Sequence, residues 1–323
     1  MTTGLGTAWR DPSDRRQYAM PLDHRFERPI DARRCTVQLS TGLLYLDAAA
    51  QPATALLGHD VPRETRSDAK SADALLSSLA PSYRCVAVAR DFPSAVTAAE
   101  TLLRARGVAV ERLDAAFGEP PQAPGALVAI ENETLARRGV WLASALWRRA
   151  PDVIAVGDAL SQGLPFGAVL ARAEIAAEMP QPAVYDESNG AIARAVAVIG
   201  AVEAGGLIED GRRAAGHLAE RLRAAQSVCP EIERVEVAGL SACVTLAKPL
   251  TAARIRRAMC ERGVLVGVDD VGRLVIDPPL CIRVAEIDVI AGALRAAVLG
   301  LPISGVSACC AACRADGAGF SAS

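Results

Sequence analysis

Residues 151–175 read PDVIAVGDALSQGLPFGAVLARAEI, and this stretch decides the fold. Its first part, PDVIAVG at 151–157, is a nearly continuous apolar run, the pattern of a strand buried on both faces. In the GLPFG that follows, Gly163 and Gly167 permit backbone angles that other residues avoid, which predicts a tight turn. AVLA at 168–171 then predicts a second strand.

The sequence upstream of this turn alternates strands and helices. YRCVAVA at 83–89 and GALVAI at 125–130 are further apolar runs typical of buried strands. Asp91 is placed to cap a helix that ends at Gly107, and a second helix is predicted over 134–149. This alternation predicts an α/β fold, with a mostly parallel sheet and helices on both of its faces.

The sequence downstream changes character. A long helical segment is predicted over 189–226, with a break around Gly205-Gly206. Short strands and helices follow it, which is typical of a smaller α+β domain. The strands are predicted near 232–237, 241–247, 263–268 and 273–276, and the helices over 251–262 and 285–299.

The composition argues against several classes of protein. A net charge of -2 over 323 residues gives no reason to expect nucleic acid or an anionic membrane as a partner. The N-terminus lacks the apolar region of a secretory signal, and no uncharged apolar run reaches membrane-spanning length. We therefore expect a soluble, cytoplasmic protein. Only two of the 35 basic residues are lysines, Lys70 and Lys248.

Metal chemistry has little support in the sequence. The three histidines are far apart and show no metal-ligand spacing. The C-terminal tail carries three thiols that could bind a soft metal ion or be modified, but without a fourth ligand they make a poor structural zinc site. We expect no metal, and the weak candidates are Cys309, Cys310 and Cys313.

Five segments occur in an order that points to one family. They are LLYLDAAAQPATALLGHDVP (43–62), the stretch 151–175 quoted above, VYDESNGAIARAVAVIGAVEAGGLIEDG (184–211), VEVAGLSACVTLA (235–247) and RGVLVGVDDVGRLVIDPPLCIRVAEID (262–288). In that order they resemble the class III (ω-type) aminotransferases of the fold-type-I pyridoxal phosphate superfamily. The resemblance covers most of residues 41–299.

The composition and the resemblance together predict a division of the chain into four parts. We expect an N-terminal arm at 1–40 and a disordered, Cys-rich tail at 301–323. Between them lie a truncated large domain at 41–205, of which 41–62 packs with the small domain, and the small α+β domain at 206–300.

The resemblance also implies that the family's lysine is missing. The family holds pyridoxal phosphate as a Schiff base on a lysine five residues before the first glycine of its "GlPiG" motif, and here that position is Asp158. A carboxylate cannot form an imine, and it would repel an anionic cofactor. Lys70 and Lys248 both fall outside the matching motif.

The family's phosphate loop is altered as well. Its counterpart reads RDFPSA at 90–95, where Arg90 and Ser94 are the polar side chains available to a phosphate. Phe92 adds bulk and Pro93 removes a backbone donor, whereas phosphate cradles use small residues with N–H groups that face the anion.

The remaining cofactor positions differ from the family pattern. An ungapped alignment puts Ala129 at the aspartate that contacts the pyridinium nitrogen, and Glu131 or Glu133 takes that role only if the alignment shifts. Tyr185 stands where the cross-subunit phosphate segment has a threonine, while Asn189 is retained. The chain between 107 and 125 is too short for the family's intervening strands.

A retained fold with an altered site is typical of a pseudoenzyme. We therefore expect no cofactor, although the family uses pyridoxal phosphate, and no transamination. The leading hypothesis is a non-catalytic partner, scaffold or regulator that forms a homodimer or a heterodimer with an active aminotransferase subunit. Two alternatives stay open: an aminotransferase-family enzyme with a rebuilt site or another lysine, and a carrier that presents the modifiable Cys-rich tail.

Overall fold

The computed structural model describes residues 29–39, 43–49, 55–60, 76–114, 125–132, 134–178, 190–248 and 250–301. These residues divide into two compact units. One unit takes its described residues from 53–57 and 61–210, and the other from 1–52, 58–60 and 211–323.

The unit that contains residues 61–210 is built on a five-stranded sheet. Its strands are β4 (Tyr83–Ala89), β5 (Val110–Asp114), β6 (Ala126–Glu131), β7 (Val153–Val156) and β8 (Gly167–Arg172), in the order β4-β8-β7-β6-β5. β6 pairs in parallel with β5 and β7, whereas β8 is antiparallel to both β7 and β4. Four strands therefore run in one direction and β8 runs against them, which confirms an α/β fold with a mostly parallel sheet.

The direction of β8 follows from the short connection before it. A parallel crossover needs a dozen or more residues, usually with a helix, whereas the tight turn at 157–166 returns the chain antiparallel to β7. Every residue of β7 is buried, and so are five of the six residues of β8. Since neighbouring side chains on a strand point to opposite faces, both faces of this part of the sheet are covered.

Helix α1 (Phe92–Arg104) packs on one face of this sheet. Asp91 caps its N-terminus, as the sequence predicts, and its buried residues are Ala95, Ala99 and Leu103. They join a core that includes Val128, Val153, Ala155, Val169 and Ala171 from the strands. Small alanine side chains bring the helix close to the sheet.

The helix predicted over 134–149 is absent, and this prediction was wrong. Residues 134–138 form turns, and only a 3-10 helix follows at Ala143–Leu146. Ala136 and Gly139 have positive φ angles of 59° and 77°, which an α-helix cannot contain. A short helix α2 (Ala173–Ala177) follows β8.

Two long helices follow in the chain, α3 (Gly190–Ala204) and α4 (Leu207–Val228). The break falls at Gly205-Gly206, as predicted, and Gly206 has a φ of 60°. Among the described residues no single helix is long and apolar enough to cross a membrane; α3 and α4 pass that test only as a pair, and the pair is bent by 68°.

The other unit contains two four-stranded sheets. The first has the order β1-β2-β3-β11, with β1 (Pro29–Arg33), β2 (Thr36–Leu39), β3 (Leu44–Asp47) and β11 (Val264–Leu265). The second has the order β12-β13-β10-β9, with β9 (Ile232–Ala238), β10 (Ser241–Leu246), β12 (Gly267–Val268) and β13 (Leu274–Ile276). Helices α5 (Ala252–Cys260) and α6 (Val284–Val298) complete it.

Residues 29–39, which belong to the N-terminal arm expected at 1–40, form a hairpin. β1 and β2 pair antiparallel, and β2 continues the ladder onto β3. Cys35 and Val37 are buried, so this part of the chain is anchored by its own apolar side chains.

Candidate functional site

Asp158, which the sequence resemblance assigns to the family's lysine position, lies in the turn between β7 and β8. Asp158 is half-buried and begins a 3-10 helix, Asp158–Ser161, directly after Gly157. The Asp158 carbonyl accepts hydrogen bonds from the Gly163 N–H and the Ser161 hydroxyl, both at 2.9 Å. Gly163 has a φ of 80°, so the turn requires a glycine there, as the sequence predicts.

The carboxyl ends of β6 and β7 lie side by side before this turn. The Gly157 N–H donates to the Glu131 carbonyl at 3.0 Å, and Asn132 Oδ1 accepts from the Ala159 N–H at 3.1 Å. A Cβ at Gly157 would lie 2.3 Å from Asn132 Oδ1 and 2.9 Å from Phe92 Cδ2. The structure therefore brings residues of three candidate segments, 90–95, 129–132 and the Asp158 turn, to one edge of the sheet.

Glu131 is a buried carboxylate at the end of β6. Its two oxygens accept hydrogen bonds from the Thr134 hydroxyl at 2.7 Å and the Ser144 N–H at 2.5 Å. Burial raises the pKa of the Glu131 carboxyl, and these hydrogen bonds oppose the shift. Ala129, which the ungapped alignment selects, is fully buried within β6, so Glu131 is the acidic side chain at the strand end.

The N-terminus of α1 is occupied by its own capping residue. Asp91 Oδ1 accepts from the Ser94 N–H at 2.8 Å, and the Asp91 carbonyl accepts from the Ala95 N–H at 3.1 Å. Pro93 has no N–H to offer. The Arg90 side chain is 78% exposed and lies 3.3 Å from the Asp91 carboxylate. This first turn therefore presents a carboxylate where the sequence resemblance predicts the family's phosphate loop.

An open groove of about 610 Å³ runs along α1 and β4. Arg90, Asp91 and Ser94 line one end of it, and the rest is mainly small or apolar, including Val86, Ala98 and Leu102. Neither Asp158 nor Glu131 lines this groove, so the groove is separate from the turn that contains Asp158.

Several candidate residues lie outside the described residues. These are Glu133, Tyr185, Asn189, Lys70 and the tail cysteines Cys309, Cys310 and Cys313. Lys248 is described; it is exposed and follows β10 in the other unit. Among the described residues no group of three or more His, Cys, Asp or Glu side chains is arranged to hold a metal ion.

Sequence reasoning missed Asn132 and the role of Gly157. Asn132 directly follows a buried strand, and a polar residue at such a strand end was the signal that could have identified it. Gly157 precedes Asp158 and admits the close approach of Asn132 and Phe92, which the sequence of the turn alone does not reveal.

Comparison with known proteins supports the resemblance. The model of the family "Aminotransferase class-III" matches residues 131–298. An acetylornithine aminotransferase of Bordetella bronchiseptica is 32% identical over 158 residues, which are 48% of this chain and 39% of that protein. The chain therefore matches well under half the length of this curated relative.

Solved structures share the fold at low sequence identity. An ornithine aminotransferase from Plasmodium yoelii has a TM-score of 0.72 and 17% identity, and the match covers 86% of this chain and 95% of that one. An ornithine aminotransferase from Toxoplasma gondii has a TM-score of 0.72 and 15% identity, with 93% and 98% covered.

The expectation that no cofactor is associated with this chain is corrected by these matches. They are pyridoxal phosphate-dependent aminotransferases, and the Toxoplasma enzyme carries that cofactor at partial occupancy in its active site. Pyridoxal phosphate is thus the cofactor that the family implies. At the position that the resemblance assigns to the lysine, the turn after β7 offers the Asp158 carboxylate, which cannot form the covalent imine.

Proposed function

Because the chain belongs to the class III aminotransferase family, we propose that it is a non-catalytic member that acts as a partner, scaffold or regulator. Asp158 carries this proposal. By the sequence resemblance it stands at the lysine position, in a turn where Gly163 has the positive φ that the turn needs. A carboxylate cannot form the Schiff base on which transamination depends.

The surroundings of Asp158 support the same function. Asn132 and Phe92 occupy the space beside Gly157, and the first turn of α1 is capped by Asp91. Each of these interactions holds the fold together with groups of the chain itself. They give the turn a structural role that does not depend on catalysis.

The proposed partner is a second subunit of the same family. Class III aminotransferases are commonly dimers, and we propose that this chain forms either a homodimer or a heterodimer with an active subunit. We also retain the cytoplasm as the proposed location.

An activity assay tests the loss of catalysis. The purified chain is incubated with pyridoxal phosphate, with acetylornithine or ornithine as amino donor and a 2-oxo acid as acceptor, since the relatives are named for those donors. We expect no amino transfer above that of pyridoxal phosphate alone. Turnover that depends on the chain would contradict the proposal.

Light scattering after size-exclusion chromatography tests the partner. We expect a species of twice the 33.6 kDa chain mass, or a mixed complex when an acetylornithine aminotransferase from the same host is co-expressed. A monomer that neither binds the co-expressed subunit nor changes its activity would contradict the proposed role.

A further inference from the structure

Two cysteines lie in contact although they are far apart in the sequence. Cys35 follows Arg34 in the turn between β1 and β2, and Cys281 lies in the loop between β13 and α6. Their sulfur atoms are 3.5 Å apart. A disulfide has a sulfur–sulfur bond of about 2 Å, so closure requires an approach of about 1.5 Å, within the reach of small side-chain rotations.

Arg34 holds the two segments in this arrangement. Its guanidinium donates to the Cys281 carbonyl at 2.7 Å, and its backbone N–H donates to Asp60 Oδ1 at 3.1 Å. Its carbonyl accepts from the His59 N–H at 2.7 Å. Because these contacts tie the hairpin turn to residues 59–60 and to the Cys281 loop, the two thiols face each other before any reaction.

The two thiols differ in their access to solvent. Cys35 is fully buried, whereas Cys281 is partly exposed. The hydrogen bond with Cys281, together with burial, raises the pKa of the Cys35 thiol well above its ordinary value. An oxidant in solution therefore meets Cys281 first, and Cys35 can react only with a group already attached to Cys281.

We propose that Cys35 and Cys281 are a redox modification site that forms a reversible disulfide on reaction with a small disulfide oxidant of the glutathione class. The Cys281 thiolate attacks one oxidant sulfur, the oxidant S–S bond breaks, and one thiol leaves. Cys35 then attacks the Cys281 sulfur of the mixed disulfide and releases the second thiol. In balance, two cysteine thiols are oxidised, one oxidant disulfide is reduced to two thiols, and the two cysteine protons pass to the released thiolates.

The disulfide joins the β1–β2 hairpin to the loop that precedes α6. It closes a loop of more than 240 residues, since its cysteines are 246 positions apart. Cross-links that close long loops restrict the unfolded chain strongly, so the oxidised chain should resist denaturant more than the reduced chain.

Peptide mapping after oxidation tests the site in the full-length chain. The three tail cysteines are first replaced by serine, because their thiols would compete for the oxidant. The chain is equilibrated in buffers of reduced and oxidised glutathione, quenched with acid, alkylated and digested with trypsin. Cleavage after Arg34 and Arg273 places Cys35 in peptide 35–63 and Cys281 in peptide 274–283, each with a single cysteine.

We expect these two peptides to be joined and the chain to lose two titratable thiols, with full reversal by dithiothreitol. Cys35→Ser and Cys281→Ser should each abolish the linked peptide and the gain in resistance to urea. Cys229→Ser, which removes another buried cysteine of the same unit, should preserve both. A Cys281 that accumulates as a stable glutathione adduct while Cys35 keeps its thiol would overturn the proposal, and so would the absence of any linked peptide.

Discussion

The Glu131 carbonyl accepts a hydrogen bond from the Gly157 N–H at 3.0 Å, and this bond fixes the ends of β6 and β7 directly before Asp158. The side chain of the same glutamate binds the Thr134 hydroxyl and the Ser144 N–H. Glu131 therefore organises the edge of the sheet at which the candidate segments meet.

Substitutions at Glu131 should distinguish what its hydrogen bonds contribute to the free energy of unfolding from what its charge contributes. Glu131→Ala leaves buried donors without an acceptor and should lower the free energy of unfolding by at least about 2 kcal/mol. Glu131→Gln keeps one acceptor oxygen and should cost less. Urea unfolding followed by tryptophan fluorescence is a suitable measurement, because Trp141 and Trp147 lie in the same unit. Equal losses for both variants would contradict this role.

The raised pKa of Glu131 also predicts a pH dependence. The folded chain holds this proton more tightly than the unfolded chain, whose carboxyl titrates near 4.5. The associated stability is present at low pH and is lost as the pH rises through the folded pKa. Relative to Glu131→Gln, which has no such proton, the parent chain should gain stability as the pH falls from neutral toward 4.5. A difference that stays constant with pH would disprove the assignment.

Asp91 should contribute to stability as a helix cap. Asp91→Ala removes the acceptor of the Ser94 N–H and should cost about 0.5–2 kcal/mol. Asp91→Asn retains a capping oxygen without the charge and serves as the matched control. The two variants are compared by urea unfolding. If Asp91→Asn is as destabilised as Asp91→Ala, the contribution of Asp91 comes from its charge and the cap is not the cause.

Gly167 should be intolerant of any side chain. A Cβ there would lie 2.5 Å from the Asp91 carbonyl and 2.7 Å from the Ala95 Cβ, so Gly167→Ala must displace α1 or β8. Gly200 lies within α3 of the same unit and is exposed, and a Cβ added there would meet no atom within 4 Å. Gly200→Ala should therefore stabilise the chain by up to about 1 kcal/mol. Thermal unfolding of both variants tests this difference in stability. A Gly167→Ala variant as stable as the parent chain would contradict it.

The Tyr83 hydroxyl should lose its proton at a higher pH than an ordinary tyrosine. Its hydroxyl donates to the Pro151 carbonyl at 2.6 Å, and burial raises the pKa of Tyr83 to about 12. Since the folded pKa lies above the ordinary value of 10, stability should fall as the pH rises from 10 to 12. Ultraviolet titration of the folded chain should show a tyrosine that loses its proton near pH 12, and Tyr83→Phe should remove that component. Removal of an early-titrating tyrosine would contradict this assignment.

Local patterns were sufficient to predict much of the fold. The apolar run at β7, Gly163 of the turn and the capping residue Asp91 each act within a few residues, and all three occur as predicted. The expectation for Gly167 was wrong, because Gly167 begins β8 without a positive φ and is required there by the close approach of α1. The resemblance then ordered these elements and located Asp158 in the turn. Asn132 and Phe92, which lie beside Gly157 at the sheet edge, depend on contacts distant in sequence, and so only the structure identifies them.

The helix predicted over 134–149 is also absent because of contacts that form only in the assembled sheet. Its sequence is compatible with a helix, but the buried Glu131 takes the Thr134 hydroxyl and the Ser144 N–H as its donors. Desolvating a carboxylate is costly, and satisfying it outweighs the modest local preference for helix. The burial of Glu131 arises from the assembled sheet, which single-residue patterns do not encode.

The most direct test of the central claim restores the lysine. Asp158→Lys is mixed with pyridoxal phosphate, reduced with borohydride and mapped by mass spectrometry, beside the parent chain and the control Asp270→Lys, which places a lysine on an exposed turn. We expect an imine absorbance and a stoichiometric adduct at residue 158 in Asp158→Lys alone. A stoichiometric adduct on Lys70 or Lys248 of the parent chain, or no adduct at residue 158 in the variant, would contradict the assignment of Asp158 to the lysine position.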